Sequence, residues 1–115
     1  MTATRLAESA HAQIAEIIKA HPAVLFMKGT PARPQCGFSG AVVDVLRNYD
    51  IPLHAVDVLA NPAIRQEIKT YSDWPTIPQL YLDRTFVGGC DIVREMHETG
   101  ELAQLIADLP NQALS

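Results

Sequence analysis

Cys36 and Cys90 are the only thiols in the chain, and their surroundings differ in the chemistry they allow. Cys36 lies in Lys28-Gly29-Thr30-Pro31-Ala32-Arg33-Pro34-Gln35-Cys36-Gly37-Phe38-Ser39, where a loop punctuated by prolines and a glycine gives way to a helix. A cysteine just before a helix amino terminus meets exposed backbone N–H groups and the positive end of the helix dipole. These lower a thiol pKa from ~8.5 into the range ~3.5–7.5. Lys28, at the end of the preceding strand, adds positive charge on the same side. The thiolate formed there is competent both as a nucleophile and as an iron ligand. A buried structural cysteine is the alternative, and it fits poorly with a junction bounded by proline and glycine.

Neither cysteine belongs to a Cys-x-x-Cys pair. Ser39 stands where a dithiol oxidoreductase carries its second cysteine, and a hydroxyl cannot resolve a mixed disulfide. The plain expectation for Ser39 is a hydrogen bond to the first helical turn. Phe38, a large ring in an exposed first turn, suits a lid or a contact surface. His11, His21, His54 and His97 are scattered without metal-ligand spacing, so surface or packing roles are expected for all four.

The elements that must position these residues can be read from periodicity. Leu6, Ala10, Ile14, Ile17 and Ile18 recur at helical spacing until His21-Pro22 stops them. Residues 24–27 form a short apolar run, as expected of a buried strand, and 29–35 form a loop. A second helix begins at Gly37 with Ala41, Val42, Val45, Leu46 and Tyr49 on its apolar face, and it ends at 48–50. Residues 53–58 suit a second strand. Asn61-Pro62 predicts the start of a third helix, running to about Tyr71. Residues 74–78 read as extended, because residues before proline avoid the helical region. Strands at 79–82 and 85–87 flank a turn at Asp83-Arg84. Asp91 is then expected to cap a last helix, broken near Thr99-Gly100 and resumed from 101 to 109. The predicted architecture is α/β and thioredoxin-like, a mixed four-stranded sheet flanked by helices. A right-handed crossover places the loop after the first strand at the carboxyl end of the sheet.

Composition bounds the function classes. A chain of 115 residues fits one compact domain, with a core at about 5–109 and a tail at 110–115 expected to fray. The formal charge of −4 lacks the basic surplus of a general nucleic-acid binder. No apolar run approaches the length of a membrane span, and Arg5, Glu8, Glu16 and Lys19 interrupt anything like a secretory signal. The expectation is a soluble protein in a reducing compartment, the cytoplasm by default, or an organellar matrix if a presequence has been removed.

Four motifs in order carry a family resemblance. They are Lys28-Gly29-Thr30-Pro31, Cys36-Gly37-Phe38-Ser39, Trp74-Pro75-Thr76-Ile77-Pro78-Gln79-Leu80-Tyr81, and Gly88-Gly89-Cys90-Asp91-Ile92. Together they are similar to the monothiol (CGFS-type) glutaredoxins over about residues 5–109. No part resembles the additional thioredoxin domain of longer relatives, so the resemblance is to the single-domain class. It implies a glutathione groove beside Cys36. There Lys28 and Arg65 meet the glycine carboxylate, although Arg65 alone would read as a solvated charge. The Ile77 backbone pairs with the tripeptide's cysteine residue, next to an expected cis Pro78. Gly88-Gly89 admits the ligand backbone, and the N–H groups of Cys90 and Asp91 receive the γ-glutamyl carboxylate. The Asp91 side chain is open between facing the ligand's ammonium and capping the helix. Cys90 is open between a backbone contact and reversible pairing with Cys36. Thr76 lies near the site without an assigned role.

Ligand counting chooses among mechanisms. A [2Fe–2S] cluster takes four ligands, usually thiolates. Two copies of Cys36 and two glutathione thiolates supply four, which implies a cluster-bridged homodimer. Half of those ligands are exchangeable, which suits a carrier that receives and passes on a cluster. A rival set draws Cys36 and Cys90 from both chains, and it leaves Lys28 and Arg65 without a role. The resemblance also implies BolA-like partners and recipient iron–sulfur apoproteins. The alternative function is glutathione-dependent monothiol disulfide oxidoreduction (deglutathionylation), with Cys36 as catalytic nucleophile. A third is a regulatory module whose cluster reports iron status.

Overall fold

The computed structural model describes residues 3–109, with side chains described from residue 8 onward. Leu6 as a packing residue and the expected frayed tail therefore lie outside the described side chains and residues. The elements are α1 (Ala3–Ala20), β1 (Ala23–Met27), α2 (Gly37–Leu46), β2 (Leu53–Asp57), α3 (Pro62–Ser72), β3 (Gln79–Leu82), β4 (Thr85–Gly88), α4 (Cys90–Thr99) and α5 (Glu101–Ala107). The four strands form one sheet in the order β2-β1-β3-β4. Strand β1 is parallel to β2 and antiparallel to β3, and β4 is antiparallel to β3.

The unbroken apolar run of β1 has a simple cause: both faces of the sheet are covered. Ala23, Leu25 and Met27 pack with Val42, Leu46, Val93 and Leu102 on the side of α2, α4 and α5. Val24 and Phe26 point the other way and pack with Ile14, Ile18, Ile64 and Ile68 of α1 and α3. Side chains that alternate with period two thus reach two cores, and no polar position is left on the strand. Each fully buried Leu, Ile or Phe contributes roughly 1.5–3 kcal/mol.

Local chemistry explains the joints. The β3–β4 turn places Asp83 and Arg84 at φ 49° and 66°. Positive φ at both central residues gives the twist that a two-residue hairpin needs. Asp83 N–H is held by the Pro22 carbonyl at 2.8 Å, tying the hairpin to the start of β1. Pro62 opens α3 as expected, but the Asn61 side chain makes no capping bond. It donates instead to the Asp57 carbonyl at 3.0 Å, because the chain turns back on β2 there. No helix among the described residues is long and apolar enough to cross a membrane.

Candidate functional site

Cys36 is the N-cap of α2, in extended backbone at φ −149°, and it is half-buried. Its thiol pKa lies below the ordinary value, chiefly through the Ser39 N–H. Partial burial opposes that shift, while the Phe38 N–H, the Lys28 charge and the Ser39 hydroxyl reinforce it. These are the forces expected at a helix start, with oriented N–H groups outweighing the more distant lysine.

Ser39 extends the expectation drawn for it. Its side chain is fully buried, and besides the Cys36 thiol at the helix start its oxygen meets the end of the strand, accepting the Lys28 N–H at 3.1 Å. The residue thus fastens α2 to the end of β1. The 29–35 loop is likewise closed on itself. Gln35 N–H donates to the Lys28 carbonyl at 2.8 Å, and Thr30 and Arg33 exchange backbone bonds. Gly29 sits at φ +92°, and a β-carbon there would lie 2.5 Å from the Arg33 carbonyl oxygen. Only glycine fits that place.

Two grooves meet beside Cys36. The first, of about 320 Å³, gathers Lys28, Cys36, Phe38, Arg65, Lys69, Pro75, Thr76 and Ile77. The second, of about 250 Å³, is lined by Phe38, Trp74, Thr76, Ile77, Pro78, Gly89, Cys90, Asp91 and Ile92. Phe38, Thr76 and Ile77 wall both grooves. Phe38 is 65% exposed, as its place in the first turn of α2 predicts.

The Ile77–Pro78 peptide is cis. Among the described residues, neither the N–H nor the C=O of Ile77 makes a hydrogen bond, although the residue is buried. Such a pair of free backbone groups offers one rung of a ladder to an extended ligand. The second groove ends at the start of α4, where the N–H groups of Cys90 and Asp91 have no acceptor within the helix.

Asp91 departs from the capping role expected of it, and the structure adds detail at Gly88, Gly89 and Cys90. Gly89, not Asp91, occupies the N-cap of α4; Asp91 lies in the first turn and makes no capping bond. Its exposed carboxylate lines the second groove instead. Gly88-Gly89 is required first by packing within the chain. A β-carbon on Gly88 would meet Ile92 at 2.8 Å, and one on Gly89 would come within 3.2 Å of the Pro78 carbonyl. Cys90 is buried and lines the second groove, whereas Cys36 lines the first.

Lys69 is a cation that the motifs do not contain. It follows Arg65 by four residues on α3, so both present their charges on one face. That spacing is visible in the sequence once Arg65 is suspected. The four histidines pack: His21 stacks on His54 with ring centres 3.9 Å apart, Tyr49 and His97 share a 2.6 Å hydrogen bond, and His11 meets Tyr71 and Glu67. A larger depression of about 680 Å³ lies between α1 and β2. It contains no cysteine and no Lys or Arg, so its size does not make it the chemical centre.

A family model for glutaredoxin matches residues 23–87. An uncharacterized monothiol glutaredoxin, ycf64-like, from Synechocystis is 50% identical over 95 residues, covering 83% of this chain and 89% of that protein. The chain belongs to the monothiol glutaredoxins. The chloroplastic monothiol glutaredoxin-S7 of rice is also 50% identical, over 88% of this chain; the chain spans 60% of that longer protein. The solution structure of reduced poplar apo GrxS14 superposes with a TM-score of 0.73 at 46% identity, covering 84% of this glutaredoxin and 88% of the poplar chain.

Proposed function

We propose that this glutaredoxin carries a [2Fe–2S] cluster as cargo, held between two copies of the chain by two Cys36 thiolates and two glutathione molecules. The observation that supports this reading is the make-up of the first groove. It presents one activated thiol, three cations and the unpaired backbone of Ile77, with no second thiol beside Cys36.

The groove fits glutathione group by group. Lys28 and Arg65, with Lys69, provide charge-assisted donors for the glycine carboxylate. Ile77 pairs with the backbone of the cysteine residue, and the start of α4 at Cys90 and Asp91 receives the γ-glutamyl carboxylate. The Asp91 carboxylate faces the ammonium group. Thr76, Pro78 and Gly89 complete the walls. When bound, glutathione supplies the second thiolate that each chain lacks. The ring of Phe38, with Trp74 and Ile92, gives exposed apolar surface around the groove for the second copy. BolA-like proteins and iron–sulfur apoproteins are the proposed exchange partners, in a reducing compartment such as the cytoplasm.

The lowered pKa of Cys36 also favours a second reading, attack on a glutathione mixed disulfide with glutathione as resolving thiol. Anaerobic reconstitution with iron, sulfide and glutathione separates the two. The carrier reading predicts a coloured dimer that Cys36→Ser abolishes and Cys90→Ser retains. Loss of colour only in Cys90→Ser removes the ligand assignment. A colourless monomer that turns over a small glutathione mixed disulfide as fast as a dithiol glutaredoxin replaces the carrier with the oxidoreductase.

A further inference from the structure

The cations of the first groove come from two separate pieces of chain. Lys28 follows β1, while Arg65 and Lys69 ride on α3, which is launched by the turn after β2. Their spacing must be held by something outside the groove. Met27 and Asp57 are register partners at the open end of the β1–β2 pair, so both pieces leave the sheet from the same rung.

Asp57 bonds to each of them. Its Oδ1 accepts the Gly29 N–H at 2.9 Å, the peptide that follows Lys28. The same oxygen accepts the Leu59 N–H, also at 2.9 Å, in the turn leading to α3. Its carbonyl accepts the Asn61 amide at 3.0 Å, and the Asn61 carbonyl accepts the Arg65 N–H at 2.9 Å. The carboxylate therefore joins the Lys28–Gly29 peptide to the turn at Leu59, and the backbone carbonyl of the same residue carries the bonds on through Asn61 to the first turn of α3. Lys28 is held from its other side by Ser39, and Asp57 completes the clamp.

We propose that Asp57 is a positioning residue for the glutathione groove, a carboxylate whose acceptor geometry sets Lys28 against Arg65 and Lys69. The role rests on reading that groove as a glutathione site. Electrostatics alone predicts the opposite sign. A negative charge near a site for a carboxylate opposes binding, so its removal would tighten glutathione if charge were what mattered. Positioning predicts that loss of the acceptor weakens binding, and that a neutral acceptor of the same shape preserves it.

The test uses the full chain, free of cluster and kept reduced, titrated with reduced glutathione by amide chemical shift. Asp57→Ala should weaken binding about 3- to 10-fold, the scale of one ordinary hydrogen bond felt through a displaced cation, while the Gly29 and Leu59 amides lose exchange protection. Asp57→Asn should stay within about 2-fold of wild type and keep both amides protected. Leu102→Val, buried in α5 and lining neither groove, should lower the melting temperature without changing glutathione affinity. Should Asp57→Ala not fold, Asp57→Gln, which moves the acceptor outward by one methylene, carries the same expectation. Binding by Asp57→Ala as tight as wild type or tighter, or equal weakening in Asp57→Asn, overturns the role of Asp57 alone. A wild-type chain that binds no glutathione overturns the reading of the groove, and this role with it.

Discussion

Gln79→Leu should destabilise the protein and deform the wall of both grooves. Gln79 opens β3 and is fully buried. Its amide nitrogen donates to the carbonyls of Trp74 at 3.2 Å and Thr76 at 3.1 Å, and its oxygen accepts the Tyr81 hydroxyl at 3.4 Å. Burial, with Tyr71 nearby, pushes the Tyr81 phenol up to about 12, so Tyr81 stays an O–H donor at working pH. Leucine fills much the same volume but removes all three bonds, leaving the Thr76 carbonyl without a partner and the Trp74 carbonyl and Tyr81 hydroxyl with Ser72 alone. At roughly 1 kcal/mol for each lost bond, the cost is about 2–3 kcal/mol. For a chain of 115 residues, the entropy of unfolding makes 1 kcal/mol worth roughly 4 °C. The melting temperature should therefore fall by roughly 8–12 °C, read by calorimetry, with weaker glutathione binding from the displaced 74–77 segment. Gln79→Glu should be less stable at pH 8 than at pH 5, because a buried acid resists ionisation and its protonated form alone can still donate. A Gln79→Leu variant that melts within about 3 °C of wild type and binds glutathione normally would refute the reasoning.

Two further outcomes follow from the backbone and from the histidine stack. Gly29→Ala puts a β-carbon against the Arg33 carbonyl at φ +92° and should cost about 2 kcal/mol or more. Gly37→Ala, with nothing within 4 Å, should be neutral or stabilise by up to about 1 kcal/mol; equal effects in thermal melts would contradict the geometry. His54 has its pKa held below 6.5 by burial and, secondarily, by the stacked His21. Its unfolded form therefore binds the extra proton more readily. The stability it contributes is complete above about pH 6.5 and is lost as pH falls through the folded-state pKa. Melting temperature should decline from pH 7 toward pH 5, and His54→Gln should flatten that decline; an unchanged slope would remove His54 as the cause.

Elements with strong periodicity were legible to within a residue or two, because burial on both faces of β1 and one face of each helix writes directly into residue type. Cys36 was legible for the same local reason: a loop that ends at a helix start leaves its N–H groups free whatever the rest of the chain does. Residues whose role depends on a distant partner were not. Ser39 reads as a helix-start hydroxyl until β1 brings Lys28 beside it. Asp91 reads as a cap because aspartate is a good one, yet tight packing of Gly88 and Gly89 starts α4 two residues earlier. Gln79 was visible only as a letter of a motif, and Asp57 only as the end of a strand. Both owe their importance to bonds across the fold, and no period in the sequence records those. Lys69 was within reach, since its spacing from Arg65 is helical.

The most direct measurement is the composition of the reconstituted coloured species, isolated by size under anaerobic conditions and analysed for iron, sulfide and glutathione. The proposed carrier predicts two chains, two irons and two glutathiones per particle, with colour lost when glutathione is withdrawn. A coloured particle that forms and persists without glutathione would contradict that account and assign the missing ligands to the protein itself.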